Sequence, residues 1–500
     1  MTQATRRPTR HSTEEGLWAG ACRIDLRTEP GLPGPGLRLW GEPFRGEETP
    51  LTVGAVVLTS GGRTAVVIAS DLLWFPDDLA DRIRVQIAAI ASTRRELVLL
   101  NASHDHAVPP LPNTPYEGDD AAVARFGREV ERAAEDAVRK ALESRRPARL
   151  AAAFGSSPIN VQRRARDTDG RDHLGEDPEG LRDPAVGVIR IDGLEGQAIA
   201  VLFSFGCHPV LYGPRAFKYS SDFPGPARAM VEREIGGTAL FLQACSGDMN
   251  PRYGIGAEVD PSETKNREGM VLGAEVVRVA AEIRTSHRRG PQTPIPGFGI
   301  SLWPWLPVED HASPTIAGIE RRIDVPMSEL PTLSEARAIR DGHHRELEAL
   351  EAAGAPWLDC HIQRRWADWS DILVEAVQHG RDTVPVTIQA LRLGDIAIAA
   401  VAMECFAATG LEVKARSPFA HTQLLGLSNG FHGYLPRASD LPAGGWKATE
   451  RYAVPDLYAP AWLQPAAIGP AAEQLVVSTC LELLAEVHRS AIARPVSVAE

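Results

Sequence analysis

Glu96-Leu97-Val98-Leu99-Leu100-Asn101-Ala102-Ser103-His104-Asp105-His106 reads as a buried strand that runs straight into a polar turn. An uninterrupted apolar run of this length marks a strand covered on both faces. Its surroundings fit. Asp77–Ser92 has Leu79, Ile83, Val85, Ile87 and Ile90 at helical spacing, and Asp119–Ser144 has the pattern of a long amphipathic helix. Upstream, Leu51–Leu58 and Arg63–Ser70 predict a strand pair joined by the Ser60-Gly61-Gly62 turn. Downstream come strands near Val186–Ile191 and Ile199–Phe205, a helix over Pro224–Ile235 and a strand at Thr238–Ala244. This alternation predicts an α/β fold of mixed β-sheets flanked by helices.

The middle of the chain changes character. Trp303, Pro304, Trp305 and Pro307 lie close together, and Ser334–Ala353 and His361–His379 read as polar-faced helices. Strand signals return at Val384–Leu393 and Ile396–Met403, then a helix at Ala407–Arg416, a strand at Thr422–Leu427 and a last helix at Ala471–His488. Strands on both sides of the middle are equally apolar. The expectation is therefore one large catalytic domain over 16–500 with a partly helical insertion at about 302–380, preceded by a mobile tail, 1–15. Leu441–Ala466, rich in Gly, Pro and aromatics, reads as loop.

Composition narrows the function. Of 500 residues, 53 are basic and 65 acidic, a net charge of −12 with no basic block, which argues against a nucleic-acid partner or an anionic membrane. No run is long and apolar enough for a membrane span, and Met1–Gly16 lacks an apolar signal core. The six cysteines are scattered without a CxxC pair, as in reduced thiols of a cytoplasmic protein. Only five basic residues are lysine, a bias that points to a GC-rich bacterial genome.

Five stretches could carry chemistry, and each follows an apolar strand, where open α/β sheets place their sites. On an extended backbone His104 and His106 would point the same way. They could be two metal ligands, one ligand and one proton carrier, or plain loop histidines. His208 in FGCHPV (205–210) repeats that setting. QACSGDMNP (243–251) could line a pocket with backbone amides. Glu404 follows a strongly apolar strand and, buried there, needs a cation, a donor or a proton. The fifth is GFHGYLP (430–436).

Taken in order, these pieces resemble the catalytic domain of the neutral/alkaline non-lysosomal ceramidase family. The matching segments are AGACRIDLRTEP (19–30), ASDLLW (69–74), NASHDH (101–106), NVQRR (160–164), FGCHPV (205–210), SSDFPG (220–225), LQACSGDMNP (242–251), AMECF (402–406), NGFHGYLP (429–436) and GGW (444–446). The resemblance implies a zinc site of His104, His208, Glu404 and Tyr434; His432, only two residues before Tyr434, is the expected substitute ligand if the tyrosine faces away. It also implies that His106 and Arg163 hold and polarise the scissile carbonyl. Asp222 matches a family aspartate whose local role would be to cap the helix at Pro224.

Departures from that pattern shape the expected substrate. Asn250 stands where the ceramidases carry a serine nucleophile, so zinc-bound water is expected to attack directly, with Asn250 positioning water or an oxyanion. Trp446 and Lys447 replace a tyrosine and a glutamate, and together with Trp303–Trp305 they are expected to select the substrate. No immunoglobulin-like C-terminal domain is expected. The reading is a divergent bacterial relative: a zinc amide hydrolase for a small or medium-sized soluble acyl compound, without stable membrane association and with no oligomeric state implied. Three alternatives stay open. They are a zinc esterase or lactonase, a serine hydrolase using Gly426-Leu427-Ser428-Asn429-Gly430, and a non-catalytic binding protein on the same fold.

Overall fold

The computed structural model describes residues 16–32, 43–112, 120–166, 168, 172–212, 217–254, 260–308, 313–441 and 464–490. The tail 1–15 and the loop that holds Trp446 and Lys447 lie outside the described residues. The architecture is mixed α/β, built on two principal sheets. The larger has eight strands in the order Thr238–Gln243, Ala198–Phe205, Ala185–Gly193, Arg146–Ser156, Leu17–Asp25, Thr52–Ser60, Arg63–Ser70 and Val98–Ala102. The smaller has four: Ile316–Pro326, Thr383–Leu393, Ile396–Val401 and His421–Leu425.

Side-chain alternation explains why the strand sequences are nearly continuous apolar runs. Val53, Ala55 and Val57 face one core, under the helices Asp77–Ile90 and Asp120–Glu143. Their neighbours Val56 and Leu58 face another, shared with Leu99, Leu240, Leu391 and Ile398. That second core lies between the two sheets, so each sheet is apolar on both faces. On the smaller sheet Ile396, Ile398 and Ala400 point to the shared core. Ala397, Ala399 and Val401 point outward, to the helix Ala472–Arg489. Helices Pro224–Glu234 and Pro261–Glu282 cover Val188, Phe203 and Phe241 on the rest of the large sheet.

The larger sheet curls until its two edge strands meet. Asn101, on the strand Val98–Ala102, donates from Nδ2 to the Gln243 carbonyl at 3.2 Å and accepts from the Gln243 amide at 2.7 Å. Asn101 Nδ2 also reaches the Gly426 carbonyl at 2.9 Å, which ties in the smaller sheet. Within the two principal sheets, three described strand pairs are parallel: Arg63–Ser70 with Val98–Ala102, Ala198–Phe205 with Thr238–Gln243, and Ile396–Val401 with His421–Leu425. Their C-terminal ends bring five polar loops together.

The helical part of the middle segment is a pair, Leu333–Ala352 and Trp357–Gln378. The Thr332–Glu335 capping box starts the first of these helices. They connect two adjacent strands of the smaller sheet, so Ile316–Pro326 belongs to that sheet. Strands Leu17–Asp25 and Arg146–Ser156 escape the periodicity reading because small and charged residues interrupt them.

Candidate metal centre

His104 lies two residues beyond the strand Val98–Ala102. Its backbone is left-handed, with φ of 66°, rather than extended as the spacing suggested. A left-handed non-glycine residue is costly and is held by its surroundings. Here the Ser103 amide donates to the Ser70 carbonyl and the Asp105 amide to the Leu72 carbonyl. The His104 ring lies 2.9 Å, through Nδ1, from the Leu73 carbonyl. His208 repeats this arrangement, with Nδ1 3.0 Å from the Met249 carbonyl. A carbonyl only accepts, so both rings carry their proton on Nδ1 and turn an Nε2 lone pair inward.

Those lone pairs meet a third acceptor. Glu404 Oε2 lies 3.3 Å from His104 Nε2 and 3.2 Å from His208 Nε2. All three atoms are buried and none has a hydrogen-bond partner among the described residues. Acceptors gathered without a donor repel unless a cation sits among them. The spacing suits one: tetrahedral ligands about 2.0–2.1 Å from an ion stand about 3.3 Å apart. His106 completes a group of three rings, one nitrogen from each lying within 4.8 Å of the others. Its ring is 4.9 Å, centre to centre, from His104 and 5.8 Å from His208, and both its nitrogens are buried without a hydrogen-bond partner among the described residues.

Electrostatics favours the metal-ready state. Burial, with Arg163 next, holds His208 down to about 3, and burial with the neighbouring His104 and His208 rings keeps His106 well below the ordinary histidine range. Burial would push the Glu404 carboxyl up, and it is positive charge beside it, from a proton on the His104 or His208 ring or from a metal ion in its place, that brings it below the usual carboxylate range. A carboxylate and neutral imidazoles are the forms that bind metal.

Arg163 and Tyr434 stand beside this group. Glu404–Cys405 pairs in parallel with Tyr434–Leu435, and Glu404 is the register partner of Tyr434. Arg163 donates to the Tyr434 hydroxyl at 3.1 Å, the Gly247 carbonyl at 2.6 Å and the Asn250 Oδ1 at 3.4 Å. Its strand, Asn160–Arg166, is held against Met249–Pro251. Asp248 accepts from Gln162 Nε2 and from the Ala407 amide, both at 2.8 Å, which bolts the Arg163 strand to the turn after Glu404.

Several expected roles change on contact with the structure. His432 Nε2 lies 2.9 Å from Asp77 Oδ2, so that nitrogen is engaged by a carboxylate outside the His104–His208–Glu404 group. Asp222 accepts from the Tyr212 and Phe223 amides and makes no side-chain cap on Pro224–Glu234; it shapes the loop instead. Ser428 is wholly buried, donates to the Gly426 carbonyl and accepts from Asn101, and no helix follows it, so the nucleophile-elbow geometry is missing. Trp303 and Trp305 are exposed at the far ends of the strands, stacked on Arg289 and Arg284.

Gln243 is the residue that motif reading passed over. Its Nε2 donates to the Ser103 carbonyl at 2.9 Å and the Cys207 carbonyl at 2.8 Å, the residues just before His104 and His208. A polar amide closing an apolar strand, Thr-Ala-Leu-Phe-Leu-Gln over 238–243, was the available signal.

No protein-family model matches the sequence, and no curated protein matches it. Solved structures do. The neutral ceramidase from Pseudomonas aeruginosa aligns with a TM-score of 0.65 at 15% identity, over 95% of this chain and 75% of its own. A structure described as ceramidase complexed with C2 gives 0.65 at 15%, over 97% and 78%. The resemblance read from the motifs therefore holds at the level of the fold.

Proposed function

We propose that this chain is a zinc-dependent hydrolase that cleaves an amide bond in a small or medium-sized soluble acyl compound. The observation that carries the reading is the convergence of His104 Nε2, His208 Nε2 and Glu404 Oε2, three buried acceptors without a donor, on spacings of 3.2 and 3.3 Å. Nitrogen and carboxylate donors in this number suit zinc, with Tyr434 as the fourth ligand or its place left for substrate. When bound, zinc lowers the pKa of a coordinated water towards about 7 and acts as a Lewis acid on a carbonyl.

The chain's own groups supply the rest. The Leu73 and Met249 carbonyls fix the tautomer and aim of the two ligand rings. His106, close to both and neutral, takes a proton from the attacking water and returns it to the leaving nitrogen. Arg163, held by Gly247 and Asn250, orients the scissile carbonyl and stabilises charge on its oxygen. Asn250 is no nucleophile, and its amide keeps the guanidinium in place. Trp446 and Lys447 select the substrate in this reading, the lysine through a carboxylate on the acyl compound. No helix among the described residues is long and apolar enough to cross a membrane. The scattered cysteines without a CxxC pair and the scarcity of lysine support, in this reading, a cytoplasmic bacterial enzyme.

Elemental analysis beside an assay of small N-acyl amino acids, the corresponding esters and ceramide tests the reading. Stoichiometric zinc with amide turnover is expected. Ester turnover alone would favour an esterase or lactonase, and metal without any turnover a binding protein. Full activity after complete metal removal would overturn the proposal.

A further inference from the structure

The other ends of the strands hold a different kind of site. A cavity of about 640 Å³ opens where the strands Leu17–Asp25 and Ile396–Val401 begin. Some 17 Å of strand, at about 3.3 Å per residue, separates Ile396 from Val401, and Glu404 lies beyond that. The volume falls in the range of small-molecule sites. Leu17, Leu150, Leu393 and Ile396 give it an apolar lining, and Arg149, Arg284, Arg288 and Arg392 surround that lining. Asp395 is the one carboxylate among the described lining residues, so the cavity is strongly cationic in a chain of net charge −12.

The arginines divide into two sets. Arg392 donates to the Gly394, Val487, His488 and Ser490 carbonyls, and Arg149 to the Leu194 carbonyl, so their charge is fixed in place. Arg284 lies over the Trp305 ring at 4.7 Å, and Arg288 is exposed with no ion-pair partner among the described residues. His421 lines the same cavity with its Nδ1 buried and without a hydrogen-bond partner among the described residues. Apolar walls alone would take a neutral body, and the arginines alone an inorganic anion. Together they select a molecule that has both parts.

We infer that this cavity binds an amphiphilic anion, a carboxylate on a medium-sized apolar body, at a site separate from the metal centre. The apolar body rests on Leu17, Leu150, Leu393 and Ile396, and the carboxylate meets Arg284, Arg288 and His421. Titration calorimetry of the full, metal-loaded chain with octanoate, octan-1-ol and inorganic phosphate tests this. Octanoate should bind at one site, with the alcohol and phosphate each at least about tenfold weaker. The double variant Arg284→Glu/Arg288→Glu should lose octanoate binding by about tenfold or more, with metal content and thermal melting unchanged. Arg288→Gln should give a smaller loss. His104→Ala should leave octanoate binding intact. Equal affinity for the alcohol or for phosphate, no binding of octanoate, or insensitivity to the double variant would overturn the site. Loss of binding in His104→Ala would place the carboxylate at the metal centre and overturn it as well.

Discussion

The two ends of the strands Ile396–Val401 and His421–Leu425 pose opposite electrostatic problems. At the C-terminal ends, Glu404, His104 and His208 present acceptors and no donor among the described residues, all buried. At the N-terminal ends, arginines crowd an open apolar cavity with one carboxylate among its described lining residues. The first lacks a cation and the second an anion. Burial sets how much each deficit matters, because an unpaired charge in a low-dielectric interior costs far more than one in contact with water. Variants at the metal end should therefore have large effects, and those at the arginine end small ones.

The largest effect is expected from His104→Ala or His208→Ala. Each should reduce bound metal to trace levels and amide hydrolysis by about 10³-fold or more, measured by elemental analysis and turnover on one preparation. Next comes Arg163→Met. It should keep the metal and lower kcat by about 10²-fold, in line with the loss of an oxyanion donor. Metal loss in that variant would show that Arg163 serves the ligands rather than the carbonyl.

Gln243→Ala probes how the ligand loops are held. It frees the Ser103 and Cys207 carbonyls, so metal affinity should fall about 10- to 100-fold in competition with a chelator. Stability should fall by about 1–3 kcal/mol, read from denaturant unfolding.

Acidity sharpens the contrast further. The His208 pKa is lowered in the folded chain to about 3, by burial first, whereas an unfolded histidine titrates near 6.5. The unfolded state thus binds the extra proton across that window, and stability present above about pH 6.5 is lost as pH falls towards 3. Melting temperatures of the metal-free protein should show this fall, and His208→Ala should flatten it. The smallest effect belongs to Arg284→Glu/Arg288→Glu, for which melting temperature and metal content should match the parent chain.

The sequence alone carried the strands and their order of polar endings. Apolar runs such as Val98–Ala102 and Ala198–Phe205 are long, need no partner to be recognised, and stop at His104 and His208 by a change of polarity that is local. Motif order then pointed to the same fold that the solved ceramidase structures share. What only the tertiary structure decided is which of the polar residues meet. Glu404 lies some 300 residues from His104 and 200 from His208 along the chain, and the curl of one sheet against the other brings them within 3.3 Å. The same closure moved His432 to Asp77, turned Ser428 into a buried tie with Asn101, and put Trp303 and Trp305 away from His104, His208 and Glu404. Polarity and periodicity are properties of neighbours in sequence. Coordination and ion pairing are properties of neighbours in space, and only packed sheets fix those.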